Sequence, residues 1–180
     1  MRNEILLIAS LFVIYGMVLL WYCLFGKKGL YCWTVLATIA ANIEVMILVD
    51  AFGMEQTLGN ILFASTFLTT DILSEIEGKK SANTAVNVGI LTSLCFIVIS
   101  QSWLLYLPNA NDLAFNGIKT VFSNTPRIML AGLIVYAIVQ KFDVWMYHVW
   151  WKMTENRCGD SKRFLWFRNN ASTLLSPINS

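Results

Sequence analysis

The stretch ILLIASLFVIYGMVLLWYCLF, residues 5–25, contains no charged side chain. A helix needs about 20 consecutive apolar residues to cross the hydrocarbon core of a bilayer, so this run sets the solvent in which the chain folds. It is longer than the ~7–15-residue apolar core of a secretory leader. It also runs into Leu24-Phe25-Gly26-Lys27-Lys28 with no small-residue cleavage site. The reading is a retained membrane helix.

Four more apolar stretches follow. Leu30 to Val49 is interrupted by Asn42 and Glu44, and Leu58 to Leu73 carries Asn60 and Asp71. Ala85 to Leu107 is free of charge, and Ile128 to Trp150 contains Gln140, Lys141 and Asp143. The composition agrees with this reading. Of 180 residues, 57% are hydrophobic and 13% charged, against roughly 25% charged in soluble domains. The expected fold class is all-α: a polytopic transmembrane helix bundle of about five spans, residues 1–180 forming one transmembrane domain with a basic tail over 151–180. In the fourth loop Asp112 is placed to cap a short helix in which Phe115, Ile118 and Phe122 recur at helical spacing. That helix is expected at the membrane interface.

Basic residues orient the bundle. Lys27 and Lys28, Lys79 and Lys80, and Lys152 with Arg157, Lys162, Arg163 and Arg168 fall on one side of a five-span scheme. The second loop has Asp50 and Glu55 instead, while Lys119 and Arg127 in the fourth run against the pattern. The expectation is an inner-membrane protein with its N-terminus outside and its C-terminus in the cytoplasm. Trp21, Trp33, Trp103, Trp145, Trp150 and Trp151 fall near proposed span ends, where indole rings favour the headgroup zone.

Other classes find little support. A net charge of +2 is too small to argue for nucleic acid. Cys23, Cys32, Cys95 and Cys158 form no Cys-x-x-Cys pair, so no metal site and no cofactor is expected. Asn170-Ala171-Ser172 matches a glycosylation acceptor but follows the basic, cytoplasmic loop. No Walker, Rossmann, zinc-protease or lipase motif is present.

Ionisable groups inside a span normally face the bundle interior or a water-filled cavity. Asn60, Ala64, Phe67, Asp71 and Glu75 recur at helical spacing and share one face. So do Gly132, Tyr136, Gln140, Asp143 and Tyr147. Two readings stand side by side for each face. The first helix offers either a functional Asp71 or a wet helix end running through Glu75 to Glu77. The second offers either a site for a flat polar heterocycle or polar side chains that glue helices together. Asn42 and Glu44 point to different sides of their helix, and His148 reads as an interfacial histidine.

The ordered motifs resemble a known family. Ala41-Asn42-Ile43, Phe52-Gly53, Leu58-Gly59-Asn60-Ile61-Leu62-Phe63, Thr69-Thr70-Asp71-Ile72-Leu73-Ser74-Glu75 and Gly78-Lys79-Lys80 come first. Pro126-Arg127-Ile128, Gln140, Asp143-Val144-Trp145, His148 and Leu165-Trp166-Phe167-Arg168-Asn169-Asn170 follow. From about Leu24 to Ser176 the chain is similar to the queuosine precursor transporters, bacterial membrane proteins once grouped as vitamin-uptake-like. The resemblance implies a carrier, not an enzyme, that imports deazaguanine bases, precursors of a modified tRNA nucleoside. Its partners would be a small planar purine-like substrate and the lipid bilayer, with homo-oligomerisation left open. On that footing the substrate-binding set is Asn60, Asp71, Tyr136, Gln140 and Asp143, supported by Glu75, Asn42, Asn169 and Asn170. A carboxylate there can accept two N–H bonds from a guanine-like edge, the pairing by which acidic side chains read base donors.

The chain departs from the family pattern at Asn83, where relatives carry a basic residue. It also departs after Leu174-Leu175-Ser176, where relatives continue into a further hydrophobic helix; a shortened C-terminus is the expectation. Rival functions are a substrate-capture subunit of an ATP-driven uptake system, a non-transport membrane assembly protein, and an intramembrane enzyme built on Asp71 and Asp143.

Overall fold

The computed structural model describes residues 2–109, 112, 114–123 and 125–155. The elements are α1 (Arg2–Glu44), β1 (Leu48–Ala51), β2 (Met54–Thr57), α2 (Asn60–Ile76), α3 (Lys79–Trp103), α4 (Phe115–Phe122) and α5 (Thr125–Glu155). Three helices, α1, α3 and α5, are long and apolar enough to cross a membrane. At 17 residues, α2 spans only about 25 Å.

A straight helix of α1's length would reach about 65 Å, twice a bilayer core. It is instead broken at Gly26, whose φ of 59° and ψ of −143° are not helical and suit only a residue without Cβ. The chain folds back there. Trp21 and Trp33 would lie about 18 Å apart along one helix, yet their ring centroids are 6.4 Å apart. The two arms enclose Val18, Leu30, Trp33, Ala37 and Ala41, which pack with Leu62 and Leu73 of α2, Ala82, Ala85 and Val86 of α3, and Val144 of α5. Near the other end a second cluster joins Phe96, Ile97, Phe122, Met129, Leu133 and Tyr136.

Polar contacts identify the two ends of the bundle. At one, Lys27 Nζ pairs with Glu77 Oε2 at 3.1 Å, tying the α1 break to the turn between α2 and α3. Lys28, Lys79 and Lys80 belong to this basic end, and α5 arrives there with Lys152 in its last turn. At the other end Asn3 Nδ2 donates to the Asp50 carbonyl at 3.1 Å. Gln101 Nε2 donates to the Phe122 carbonyl at 3.1 Å, fastening α4 beside the end of α3.

The short helix forms where the sequence places it, over Phe115–Phe122. Asp112 Oδ1 accepts from the Ala114 and Phe115 amides at 2.8 and 3.0 Å. Two sequence expectations need correction. The stretch expected to stay helical to Val49 stops at Glu44, and Leu48–Ala51 pairs antiparallel with Met54–Thr57. The two-residue turn explains it: Phe52 and Gly53 both have positive φ, 55° and 74°, as a tight hairpin requires. Trp33, expected at an interface, is 2% exposed because its indole nitrogen donates to Ser65 Oγ at 3.1 Å inside the bundle.

Candidate functional site

Helix α2 presents polar groups on two sides. One side is buried and carries Ser65, Thr66, Thr69, Thr70 and Ser74. Four of these hydroxyls donate back to carbonyls of their own helix, Ser65 to Leu62, Thr66 to Phe63, Thr69 to Ser65 and Thr70 to Phe67, at 2.7–3.0 Å. Back-bonding lets a hydroxyl enter an apolar interior while still offering its lone pairs. Gln140 of α5, fully buried, uses them. Its Nε2 donates to a lone pair of Thr66 Oγ1 at 2.9 Å, and its Oε1 accepts from Thr70 Oγ1 at 3.2 Å, the one hydroxyl proton of Thr70 being shared with the Phe67 carbonyl. Both ends of the amide are thus engaged with α2.

The other side of α2 faces an open groove of about 940 Å³ between α2 and α5. Asp71 and Glu75 line it from α2, and Asp143, Met146, Tyr147, Trp150 and Trp151 from α5. Helical geometry places Asp71 and Glu75 one turn apart. Asp143 stands close enough for its charge to act on Asp71. The Tyr147 hydroxyl donates to Glu75 Oε2 across the groove. Tyr147 also stacks on Trp151, with ring planes 19° apart and centroids 6.1 Å apart. The groove thus joins three carboxylates, which accept hydrogen bonds, to aromatic faces. Among the described residues no three His, Cys, Asp or Glu side chains converge closely enough to hold a metal ion.

The sequence-derived site residues divide into three places. Asp71, Asp143 and Glu75 meet in the groove. Gln140 and Tyr136 are buried in the bundle, Gln140 between α2 and α5, and Tyr136 against Gly89 of α3 and Phe63 of α2. Asn42 is buried nearby and ties α1 to α3, its Nδ2 donating to Ser93 Oγ at 3.1 Å and to the Thr38 carbonyl at 2.8 Å. Asn60 does not join them. It is exposed at the start of α2, where its Oδ1 accepts from Thr57 Oγ1 at 3.0 Å, and eleven residues separate it from Asp71, about 16 Å along a helix. Asn169 and Asn170 lie outside the described residues. Thr66, Met146 and the groove role of Trp150 and Trp151 do not stand out in the sequence. Trp150 and Trp151 carried a signal in their i+3 and i+4 spacing from Tyr147.

Residues 57–179 match a family model described as "Putative vitamin uptake transporter". The chain is 37% identical over 161 residues to a protein of Bacillus subtilis (strain 168) named "Probable queuosine precursor transporter", covering 89% of this chain and 68% of that one. No solved structure matches it. With its long apolar helices, the chain is a multi-pass membrane protein. It belongs to the vitamin-uptake transporter family that its ordered motifs resemble.

Proposed function

We propose that this protein is a carrier that imports a deazaguanine-type queuosine precursor, and that the groove between α2 and α5 binds it. The observation that carries this reading is the grouping of Asp71, Glu75 and Asp143 with Tyr147, Trp150 and Trp151 around one cavity. A guanine-like edge presents adjacent N–H donors, which one carboxylate accepts as a pair. The aromatic faces supply stacking for the flat ring. Gln140 fastens α5 to α2 through Thr66, while Tyr136 and Asn42 are buried elsewhere in the bundle.

The chain would cross the membrane five times, the two arms of α1 counting separately and α2 serving as the shortest span. The basic end, with Lys27, Lys28, Lys79, Lys80 and Lys152, would face the cytoplasm by the positive-inside rule. The groove lies in the half of the bundle nearer that end, so this conformation would be open inward. A carrier with its site on polar helix segments then works by rocking one part of the bundle against another. The named relative and the family description support a carrier over an enzyme.

Direct binding tests the reading. Trp150 and Trp151 line the groove, so titrating the purified protein with a 7-deazaguanine base is expected to give saturable tryptophan quenching. Asp71→Asn and Asp143→Asn should each shift it to at least about tenfold higher ligand concentration. An adenine-type base, whose edge lacks the paired donors, should quench little. Equal quenching by both bases, or quenching unchanged in both variants, would contradict the assignment.

A further inference from the structure

Helix α5 carries a second polar side, turned away from the groove. Lys141 lies midway along α5 and is exposed. Its Nζ is 2.7 Å from Asn87 Oδ1 and 3.5 Å from Asn83 Oδ1, both on α3. These acceptors are neutral. Among the described residues no carboxylate lies within ion-pair reach of Lys141. A cation at membrane depth is costly and is normally paired or drawn towards the headgroups.

The neighbours of Lys141 repeat the pattern. His148 and Lys152 follow it at spacings of 7 and 4, on the same stripe of α5. Across the seam α3 carries Lys79, Asn83 and Asn87 at spacings of 4. His148 stands near enough to feel the charges of Lys79 and Lys152, and its enclosed Nε2 has no hydrogen-bond partner among the described residues. The carboxylates of the bundle's interior lie on the other side of α5, in the groove. Beside the basic stripe the surface is apolar and open: Leu91 is 62% exposed, Ile138 64% and Phe142 52%. Cations at the basic end therefore adjoin a surface suited to acyl chains.

We propose that the seam between α3 and α5 binds the phosphate headgroup of an anionic phospholipid. Lys79 and Lys152 flank the phosphate, Lys141 reaches towards it from below, and the acyl chains run along Leu91, Ile138 and Phe142. A basic pocket between membrane helices next to the headgroup level is the arrangement that holds acidic lipids. This site is separate from the substrate groove and does not depend on what the groove carries.

Native mass spectrometry of the full chain in detergent, titrated with phosphatidylglycerol or phosphatidylcholine, tests it. Phosphatidylglycerol is expected to bind at least tenfold more tightly. Lys141→Gln and Lys152→Gln should each weaken it by about fivefold, as loss of one lysine near an acidic headgroup implies. Lys119→Gln, at the opposite end, should leave it unchanged. Should Lys141→Gln fail to fold, the exposed Lys79→Gln and Lys152→Gln carry the same test. Equal affinity for the two lipids would overturn the proposal. So would an unchanged preference in the folded lysine variants, or displacement of the lipid by millimolar inorganic phosphate.

Discussion

Gln140 Nε2 donates to Thr66 Oγ1 at 2.9 Å, joining the middle of α5 to the middle of α2 behind the groove. With the Thr70 contact at 3.2 Å it fixes α5 against α2. Replacing Gln140 with Leu removes both contacts, but Thr66 and Thr70 keep their bonds to their own helix. The expected loss of stability is therefore modest, about 1–2 kcal/mol, the range of inter-helix hydrogen bonds in membranes. Unfolding in mixed micelles checks this, and a loss above ~4 kcal/mol would mean that Gln140 does more than join two helices.

Gly89 and Tyr136 should be coupled. A Cβ added at Gly89 would stand 2.5 Å from the Tyr136 hydroxyl and 3.2 Å from its Cζ. Gly89→Ala is expected to cost about 1–3 kcal/mol through overpacking. The Tyr136 hydroxyl is buried beside the Thr66 and Thr38 hydroxyls with no well-formed hydrogen bond among the described residues, so Tyr136→Phe alone should cost less than about 1 kcal/mol. The double variant should recover most of the loss. Thermal unfolding of the four proteins measures the coupling, and simple additivity would contradict the packing described.

Gly26 holds the break in α1 at φ 59°. Gly26→Ala should strain the turn by about 1–3 kcal/mol without touching any described neighbour, since no heavy atom of the described residues lies within 4 Å of the added Cβ. The expected signature is a lower unfolding temperature with unchanged ligand binding by the folded fraction. A stabilised variant would mean that the two arms of α1 are one helix.

These residues also mark what a sequence reader can and cannot see. Long apolar runs and the Gly26-Lys27-Lys28 interruption made the helices legible, because a bilayer demands length and apolarity of each span separately. The hairpin at residues 48–57 was hidden, because Leu48 and Val49 are as apolar as the span before them and only the Phe52-Gly53 turn betrays it. Helical spacing correctly put Asp71 with Glu75 and Asp143 with Tyr147. The eleven residues between Asn60 and Asp71 already set them about 16 Å apart on their shared stripe, too far for one small ligand edge. Helical spacing could not pair Gln140 with Thr66 and Thr70, since partners across helices depend on packing that no single helix's periodicity records.

The groove assignment separates carboxylates by position. Asp71 and Asp143 line the cavity, whereas Glu77 pairs with Lys27 at the exposed end of the bundle. Asp143→Asn should reduce substrate affinity at least tenfold, as loss of a charged acceptor worth about 1.5–3 kcal/mol implies. Glu77→Gln should change it less than twofold, because exposed ion pairs contribute little. Binding measured at matched amounts of folded protein distinguishes them, and equal losses would place the site elsewhere.

Carriage of a deazaguanine base through the α2–α5 groove makes uptake depend on Asp71 and Asp143. The most direct measurement is uptake of a labelled deazaguanine base by bacterial cells unable to make queuosine precursors, expressing either this protein or its Asp71→Asn, Asp143→Asn double variant at equal membrane levels. Saturable accumulation is expected with the former and background with the latter. Background uptake with both, or equal uptake with both, would contradict it.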